Sequence, residues 1–347
     1  MPDTRPLVDA AFWRGRTVLV TGHTGFKGGW LVLWLRTMGA RVVGMATKAP
    51  TSPSLYALAG VGEGLEEVAA DVRDFAAVRA ALDRHAPEVV FHLAAQPLVR
   101  RSFADPRATY ETNVMGTVNV LEAARASDSI RAVVVVTSDK CYANRDEGHP
   151  FAEDDPLGGH DPYSSSKACA ELVVAAYISS FFGAGGAQEH TPRLASGRAG
   201  NVIGGGDWGE DRLIPDLIKG ALAGRPIPIR NPQAVRPWQH VLNPLSGYLR
   251  LAEAVHADRG LQGGWNFGPA DGDVRTVGWI AQRLSELWPG GLGVEVDPGP
   301  HPREAHLLAL DSSKAAERLG WSPTWSLDQA LEAVVAWYDA HRSGADV

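Results

Sequence analysis

The chain has 347 residues, of which 45% are hydrophobic and 21% charged, with a formal net charge of −7. That is ordinary globular composition, long enough for one large α/β unit with a smaller lobe, and its negative charge gives no electrostatic case for nucleic acid or an anionic membrane. Cys141 and Cys169 are the only cysteines, which excludes a disulfide framework and a thiolate metal cluster; the histidines show no H-x-x-x-H pair on a predicted helix, so no metal site is expected. The start lacks an apolar signal core and no apolar run is long enough to span a bilayer, so the expectation is a cytoplasmic chain without membrane segments.

Residues 17–20 form a short apolar run that reads as a buried strand, and Leu31, Trp34, Leu35 and Met38 fall at helical spacing beyond it. Between them lies Thr21-Gly22-His23-Thr24-Gly25-Phe26-Lys27-Gly28. Strand, glycine turn and helix in that order make a dinucleotide cradle: the glycines permit a tight turn, a close approach of backbone N–H groups to a pyrophosphate, and close helix–strand packing. The spacing is G-x-x-G-x-x-G, and a structural turn is the plain alternative.

Strands are predicted at 41–46, 65–70, 88–92 and 131–137, with helices at 75–85 (Val78 and Leu82 inward) and 107–126 (Val114, Val118 and Leu121 on one face). The run at 131–137 is almost continuously apolar, so it should be covered on both faces. Alternating strands and helices with short joins predict a Rossmann-like, doubly wound parallel sheet. A polar, Pro/Gly-rich connection follows at 138–159, then a helix at 162–182 with Pro162 just inside its start. Later elements are shorter: helices from Leu213, Pro244, and near Thr276 and Leu327, and extended segments at 226–229 and 265–267. The expected organisation is a cofactor domain over 1–190, its sheet completed by segments near 192–202 and 238–268, with a smaller substrate-binding lobe over 203–347 above the carboxyl edge of the sheet.

Tyr163 and Lys167 stand one helical turn apart. An ammonium and a bound pyridinium both favour phenolate, so Tyr163 is expected to have a lowered pKa and to take a proton from a substrate hydroxyl as hydride leaves. Two exposed residues one turn apart are the bland alternative. Ser138, Asp139 and Lys140 close the fifth strand, a site-forming position in this fold, and offer a hydroxyl, a proton donor and an acceptor.

On the glycine stretch 21–28, Thr137-Ser138-Asp139-Lys140-Cys141-Tyr142, residues 155–163 with Lys167, and segments 198–208, 211–215, 236–240 and 304–306, the chain resembles the extended short-chain dehydrogenases/reductases, and among them the CDP-glucose 4,6-dehydratases. The matches run over nearly the whole chain. Asp139-Lys140 discriminates, since related dTDP- and GDP-sugar dehydratases carry Asp-Glu there. The resemblance implies NAD as cofactor, CDP-glucose as substrate, and a cycle of C4 oxidation, C5/C6 elimination and hydride return to C6. It assigns Ser138, Asp139, Lys140, Tyr163 and Lys167 to catalysis. To the cofactor it assigns Gly22, Thr24, Gly25, Phe26, Lys27, Gly28, Asp71, Val72, Leu93, Ala94, Ala95, Gln96, Asn113 and Thr137, and again Tyr163 and Lys167. To the nucleotide sugar it assigns Asn201, Arg212, Arg236, Arg303 and His306, and it implies a homodimer through the helices at 107–126 and 162–182. By residue type alone, Asp71 is equally a turn cap and Asn113 equally a solvent-facing polar group. Lys48 stands where an acidic residue would grip the adenosine ribose, so NADP stays open beside NAD. A 4-epimerase or decarboxylase of the same fold, or a catalytically silent NAD-binding module, are the competing readings. Lys140 should serve elimination as a neutral base and Asp139 as a protonated acid, and a resting Asp⁻–Lys⁺ pair is the alternative state.

Overall fold

The computed structural model describes residues 7–145, 148–183, 191–297, 299 and 308–347. The apolar runs of the sequence become β1 (Thr17–Thr21), β2 (Arg41–Ala46), β3 (Glu66–Ala69), β4 (Val89–His92), β5 (Ala132–Val136), β6 (Arg193–Ala199) and β7 (Gly263–Phe267). They form one seven-stranded sheet in the order β7-β6-β5-β4-β1-β2-β3. Every neighbouring pair in it is parallel. Side chains alternate between its faces, as the two-residue period of a strand requires. Val18, Val20, Val89, Phe91, Ala132 and Val134 face Leu31, Leu35, Leu245 and Leu249. Leu19, Val90, Val133 and Val135 point oppositely, onto Val78, Leu82, Val120, Leu121 and Val174. Helices thus cover both faces, and all five residues of β5 are buried. The strand order reverses between β1 and β4, and their carboxyl ends frame the crevice where such sheets bind ligands.

Residues after β6 divide between two tasks. The helix Leu242–Ala257 and β7 return to the sheet. The helices Leu213–Leu222, Val277–Leu287 and Leu327–Arg342 instead build a separate core around Ile214, Leu217, Ile280, Leu284, Leu331 and Val334. Among the described residues, no helix is long and apolar enough to cross a membrane.

The predicted helix at 107–126 differs from expectation in phase. It runs as Pro106–Tyr110, a π-wound turn Glu111–Met115, then Gly116–Arg125. The wide turn holds an extra residue, which rotates the face presented to the sheet. Asn113, Gly116, Thr117, Val120 and Leu121 are therefore buried, while Val114 and Val118 are only half-buried. The same turn brings Asn113 to the crevice.

At the end of β4, His92 is 2% exposed. Its Nδ1 lies 2.8 Å from Thr21 Oγ1 and its Nε2 lies 3.2 Å from Thr117 Oγ1. Thr117 already donates to the Asn113 carbonyl at 2.7 Å, so its oxygen accepts from Nε2–H. Nδ1 must then accept from Thr21, whose oxygen accepts in turn from the N–H groups of Leu93 and Ala94, both at 3.1 Å. This chain is complete for a neutral imidazole, and burial, with the charge of Lys167, pushes the ring down to about 3. A folded pKa below the unfolded value means that the unfolded state binds the extra proton between about pH 6.5 and 3, so stability falls across that window as acid is added. Denaturant titrations there should show a steeper acid loss for the wild type than for His92→Gln, by up to about 1.4 kcal/mol per pH unit. Equal slopes would contradict the neutral-imidazole network.

Candidate active site

The cradle is built by close packing. Gly22 has φ +76°, and a Cβ there would lie 2.8 Å from the Ala94 nitrogen. A Cβ on Gly28 would lie 2.2 Å from the Gly22 carbonyl oxygen, so only glycine lets the helix start against the turn. The helix Phe26–Thr37 begins at Gly25 with no side chain capping it, which leaves first-turn N–H groups to meet an anion. These features fit a dinucleotide pyrophosphate. Phe26 offers only its backbone, because its ring packs into the core. Thr24 Oγ1 reaches the Thr47 carbonyl at 3.3 Å.

Leu93, Ala94 and Ala95 leave β4 half-buried along the crevice. Asn113 sets the direction of this segment: its Oδ1 accepts from the Gln96 N–H at 2.8 Å, and its Nδ2 donates to the Gln96 carbonyl at 3.1 Å and to Ser166 Oγ at 2.8 Å. Ser166 donates to the Tyr163 carbonyl at 2.7 Å, which joins the segment to the helix bearing Tyr163. Asn113 is thus a buried clamp and not a solvent-facing group. The Gln96 side chain is occupied locally by Leu98 and Thr109. Asp71 caps the turn after β3, accepting from the Arg73 N–H at 2.9 Å and pairing with its guanidinium at 2.7 Å, which holds its carboxyl below the ordinary range. Val72 is buried against Gly116. Lys48 is exposed beyond β2.

The helix Pro162–Tyr177 starts at Asp161, whose carboxylate accepts from the Ser164 N–H at 3.0 Å, with Pro162 in the first turn. It buries Tyr163 and Lys167 on one face. Lys167 Nζ donates to the Val136 carbonyl at 3.2 Å, and burial pushes the amine down to about 8. Tyr163 departs from the expected lowered pKa. Burial pushes the phenol up to about 12, which outweighs a hydrogen bond with Ser138 and the opposing charge of Arg212. Desolvation of a phenolate wins here because no cation pairs directly with the oxygen among the described residues.

Ser138, Asp139 and Lys140 lie in a short turn at the end of β5. Ser138 Oγ donates to Asp139 Oδ1 at 2.8 Å, and Lys140 Nζ stands 3.6 Å from the same oxygen, an ion-pair geometry. Asp139 is 1% exposed, and its Oδ2 is buried with no hydrogen-bond partner among the described residues. Lys27 projects from the glycine loop into this group. Burial pushes its amine down to about 7, helped by the charges of Lys167, Arg212 and Lys140 and opposed by Asp139. The structure therefore gathers Lys27, Ser138, Asp139, Lys140, Tyr163, Lys167 and Arg212 around one space.

Arg212 begins the lobe helix Leu213–Leu222 and pairs with Asp207 at 2.9 Å, and its charge also reaches Tyr163. Arg236 is buried in a short strand, with Nη1 on the Val235 carbonyl at 2.8 Å. The Asn201 carbonyl accepts from the Gln239 N–H at 3.1 Å, which leaves its half-buried side chain out of that contact. Arg303 and His306 lie outside the described residues. Two other histidines have structural explanations: His240 stacks on Trp325 at 4.4 Å, and His160 is exposed beside the Asn144 carbonyl.

Sequence reasoning missed His92, Ser102, Ser166 and Glu171. Ser102 Oγ accepts from the Tyr163 N–H at 3.1 Å. Glu171 stands four residues after Lys167 on the same helical face, a spacing that marks it as a neighbour of the catalytic pair.

A family model described as GDP-mannose 4,6 dehydratase matches residues 19–334. The chain is 49% identical over 342 residues to the CDP-glucose 4,6-dehydratase of Salmonella typhimurium (strain LT2), covering 98% of this chain and 95% of that one. It is 31% identical to a dTDP-glucose 4,6-dehydratase of Xanthomonas campestris pv. campestris, with 93% of each covered. Its fold matches the Thermus thermophilus UDP-glucose 4-epimerase solved in complex with NAD, with TM-score 0.78, 26% identity, and 93% and 99% of the two chains covered. Cradle, catalytic helix and strand-end turn agree with what these matches say of the whole sequence: the chain belongs to the GDP-mannose 4,6 dehydratase family of extended short-chain dehydrogenases/reductases.

Proposed function

We propose that the protein converts CDP-glucose to CDP-4-keto-6-deoxyglucose and water, with NAD held in the Gly22–Gly28 cradle. The observation that carries this reading is the Ser138–Asp139–Lys140 turn placed beside Tyr163 and Lys167, supported by 49% identity with a CDP-glucose 4,6-dehydratase. NAD supplies the hydride acceptor at C4 and the hydride donor at C6, and its positive ring adds the charge that favours a Tyr163 phenolate. Tyr163 takes the O4 proton, with Ser138 hydrogen-bonded to its phenol. Lys167 holds its position through the Val136 carbonyl. The resulting 4-ketone acidifies the C5 proton, which the Lys140 amine removes. Asp139 gives a proton to the departing C6 hydroxyl, which leaves as water. Hydride then adds at C6 and Lys140 returns its proton to C5; the proton that Tyr163 took from O4 replaces, by way of solvent, the one lost in water, which restores the Asp139–Lys140 pair and closes the cycle.

Lys140 and Asp139 stand as an ion pair in the resting chain, and transfer of one proton between them supplies the neutral amine and the protonated acid together. Arg212 and Arg236 are assigned to the diphosphate, for which a guanidinium's fixed fork of donors is suited. NAD is favoured over NADP because a cofactor that regains its hydride in each turnover draws nothing from a reducing pool, and Lys48 lies exposed. A 4-epimerase would use Tyr163 and Lys167 but leaves Asp139 and Lys140 without a task.

A second copy is the proposed partner. Phe103, Tyr110, Met115, Leu172 and Phe181 are 37–57% exposed, and all lie on the segments Val99–Ala104, Pro106–Arg125 and Pro162–Phe182. Not all the apolar residues of these helices face the sheet, and a second copy of the same helices covers such a surface in an isologous pairing. Leu172→Asp should shift the protein from dimer to monomer in analytical ultracentrifugation. A wild type that sediments as a monomer at micromolar concentration would refute the interface.

Incubation of the holoenzyme with CDP-glucose should give a product lighter by one water with no net NADH. An unchanged mass would favour epimerisation, and no conversion would end the dehydratase reading. Lys140→Met should reduce turnover by about 10²–10⁴-fold while C4 oxidation persists, seen as reduced nicotinamide accumulating in a single turnover. Intact turnover in that variant would remove Lys140 from the mechanism.

A further inference from the structure

Glu171 takes no part in the chemistry above, yet its carboxylate is 2% exposed and fully engaged. Thr137 Oγ1 donates to Oε1. Ser196 Oγ and Arg198 Nη2 both donate to Oε2, each at 2.7 Å. Arg198, buried on β6, turns its other terminal nitrogen to the Tyr142 hydroxyl at 2.7 Å and the Glu153 carbonyl at 3.0 Å. Tyr142 passes its own proton to Asn266 Oδ1 on β7 at 2.7 Å, and its ring stacks on Phe151 at 4.9 Å. The amide of Asn266 then donates to the carbonyls of Phe151 and Asp311.

The order of these contacts along the chain is informative. Thr137 immediately precedes Ser138-Asp139-Lys140, and Tyr142 follows the same turn after Cys141. One ion pair therefore grips the acid–base turn at both ends, Glu171 through Thr137 and Arg198 through Tyr142. Glu171 also belongs to the helix that carries Tyr163 and Lys167. Buried ion pairs give little net stability compared with apolar packing of the same volume, because both charges lose water. What a pair with this many directed hydrogen bonds supplies is a fixed position for the groups attached to it.

We propose that the Glu171–Arg198 pair is the positioning element of this enzyme, setting where Asp139 and Lys140 stand relative to Tyr163 and so governing elimination separately from C4 oxidation. The inference rests on the dehydratase reading. Glu171 acts through Thr137 and Lys167 and does not meet the substrate. Removing its charge has a second consequence, because the Glu171 carboxylate favours the protonated form of Lys167.

The test uses holoenzyme of the wild type, Tyr142→Phe and Glu171→Gln. Tyr142→Phe removes the link from Arg198 to Asn266 without leaving a charge unpaired, so it carries the test even where Glu171→Gln does not fold. Single turnovers with CDP-glucose are followed by near-ultraviolet absorbance for reduced nicotinamide and by mass for water loss, and thermal unfolding is recorded beside them. For Tyr142→Phe the expected result is water loss slowed by about ten- to a hundredfold, KM changed by less than about twofold, and reduced nicotinamide accumulating above the wild-type level. Glu171→Gln should do the same and also move the Lys167 limb of the rate profile to lower pH. Equal slowing of oxidation and elimination, or no accumulation in either folded variant, would overturn the proposal. A wild type inert towards CDP-glucose would instead bring down the functional reading on which it rests.

Discussion

The amide of Asn113 is the contact on which the rest of the site depends. It reads the Gln96 peptide from both sides, and through Ser166 it fixes the first turn of the catalytic helix. Three pieces distant in sequence therefore share one set of hydrogen bonds: the extension of β4, the π-wound turn, and the helix bearing Tyr163. The geometry depends on the helix being underwound by one extra residue at Glu111–Met115. A regular helix would carry Val114 and Val118 into the sheet and turn Asn113 away. The local irregularity is thus not a defect in the scaffold but the device that couples the extension of β4 to the helix bearing Tyr163.

Charge is the second constraint. Lys27 and Lys140 stand close to the buried carboxylate of Asp139, and Lys27 also feels the charges of Lys167 and Arg212. Burial pushes the amines of Lys27 and Lys167 down to about 7 and 8, helped at Lys27 by the neighbouring charges of Lys167, Arg212 and Lys140. A concentration of positive charge of this kind suits an anionic ligand such as a nucleotide sugar.

Much of this was legible in the sequence, and the exceptions have physical causes. The buried strands declared themselves because both faces of β1, β4 and β5 are covered, which leaves no polar alternation to interpret. The glycine turn was readable because steric closeness leaves no other residue at Gly22 or Gly28. Periodicity erred at Val114 and Val118, since a 3.6-residue rule cannot anticipate a wide turn stabilised by tertiary hydrogen bonds. The lowered pKa expected for Tyr163 rested on the Lys167 ammonium and a bound pyridinium and left out desolvation, which pushes the phenol of the folded chain up. Thr21, His92 and Thr117 form a closed hydrogen-bond chain across three elements, and no pairwise spacing announces such a network.

Fold and chemistry separate cleanly in this molecule. A 4-epimerase can share the sheet, the cradle and the tyrosine–lysine helix at a TM-score of 0.78, so none of those parts distinguishes elimination from epimerisation. Both reactions begin with the same transfer from C4, and the cradle and helix suffice for that. Elimination asks for one thing more: a base at C5 and an acid at C6, held together. The fold offers a place for them at the carboxyl end of β5, beside the helix that carries Tyr163 and Lys167. A turn there is free to vary in residue type, but its charged groups are useful only when the backbone beneath them cannot move. Buried polar anchoring on both sides of the turn answers that need. On the dehydratase reading proposed above, the distinction between the two reactions rests on three residues and on the hydrogen bonds that hold them still.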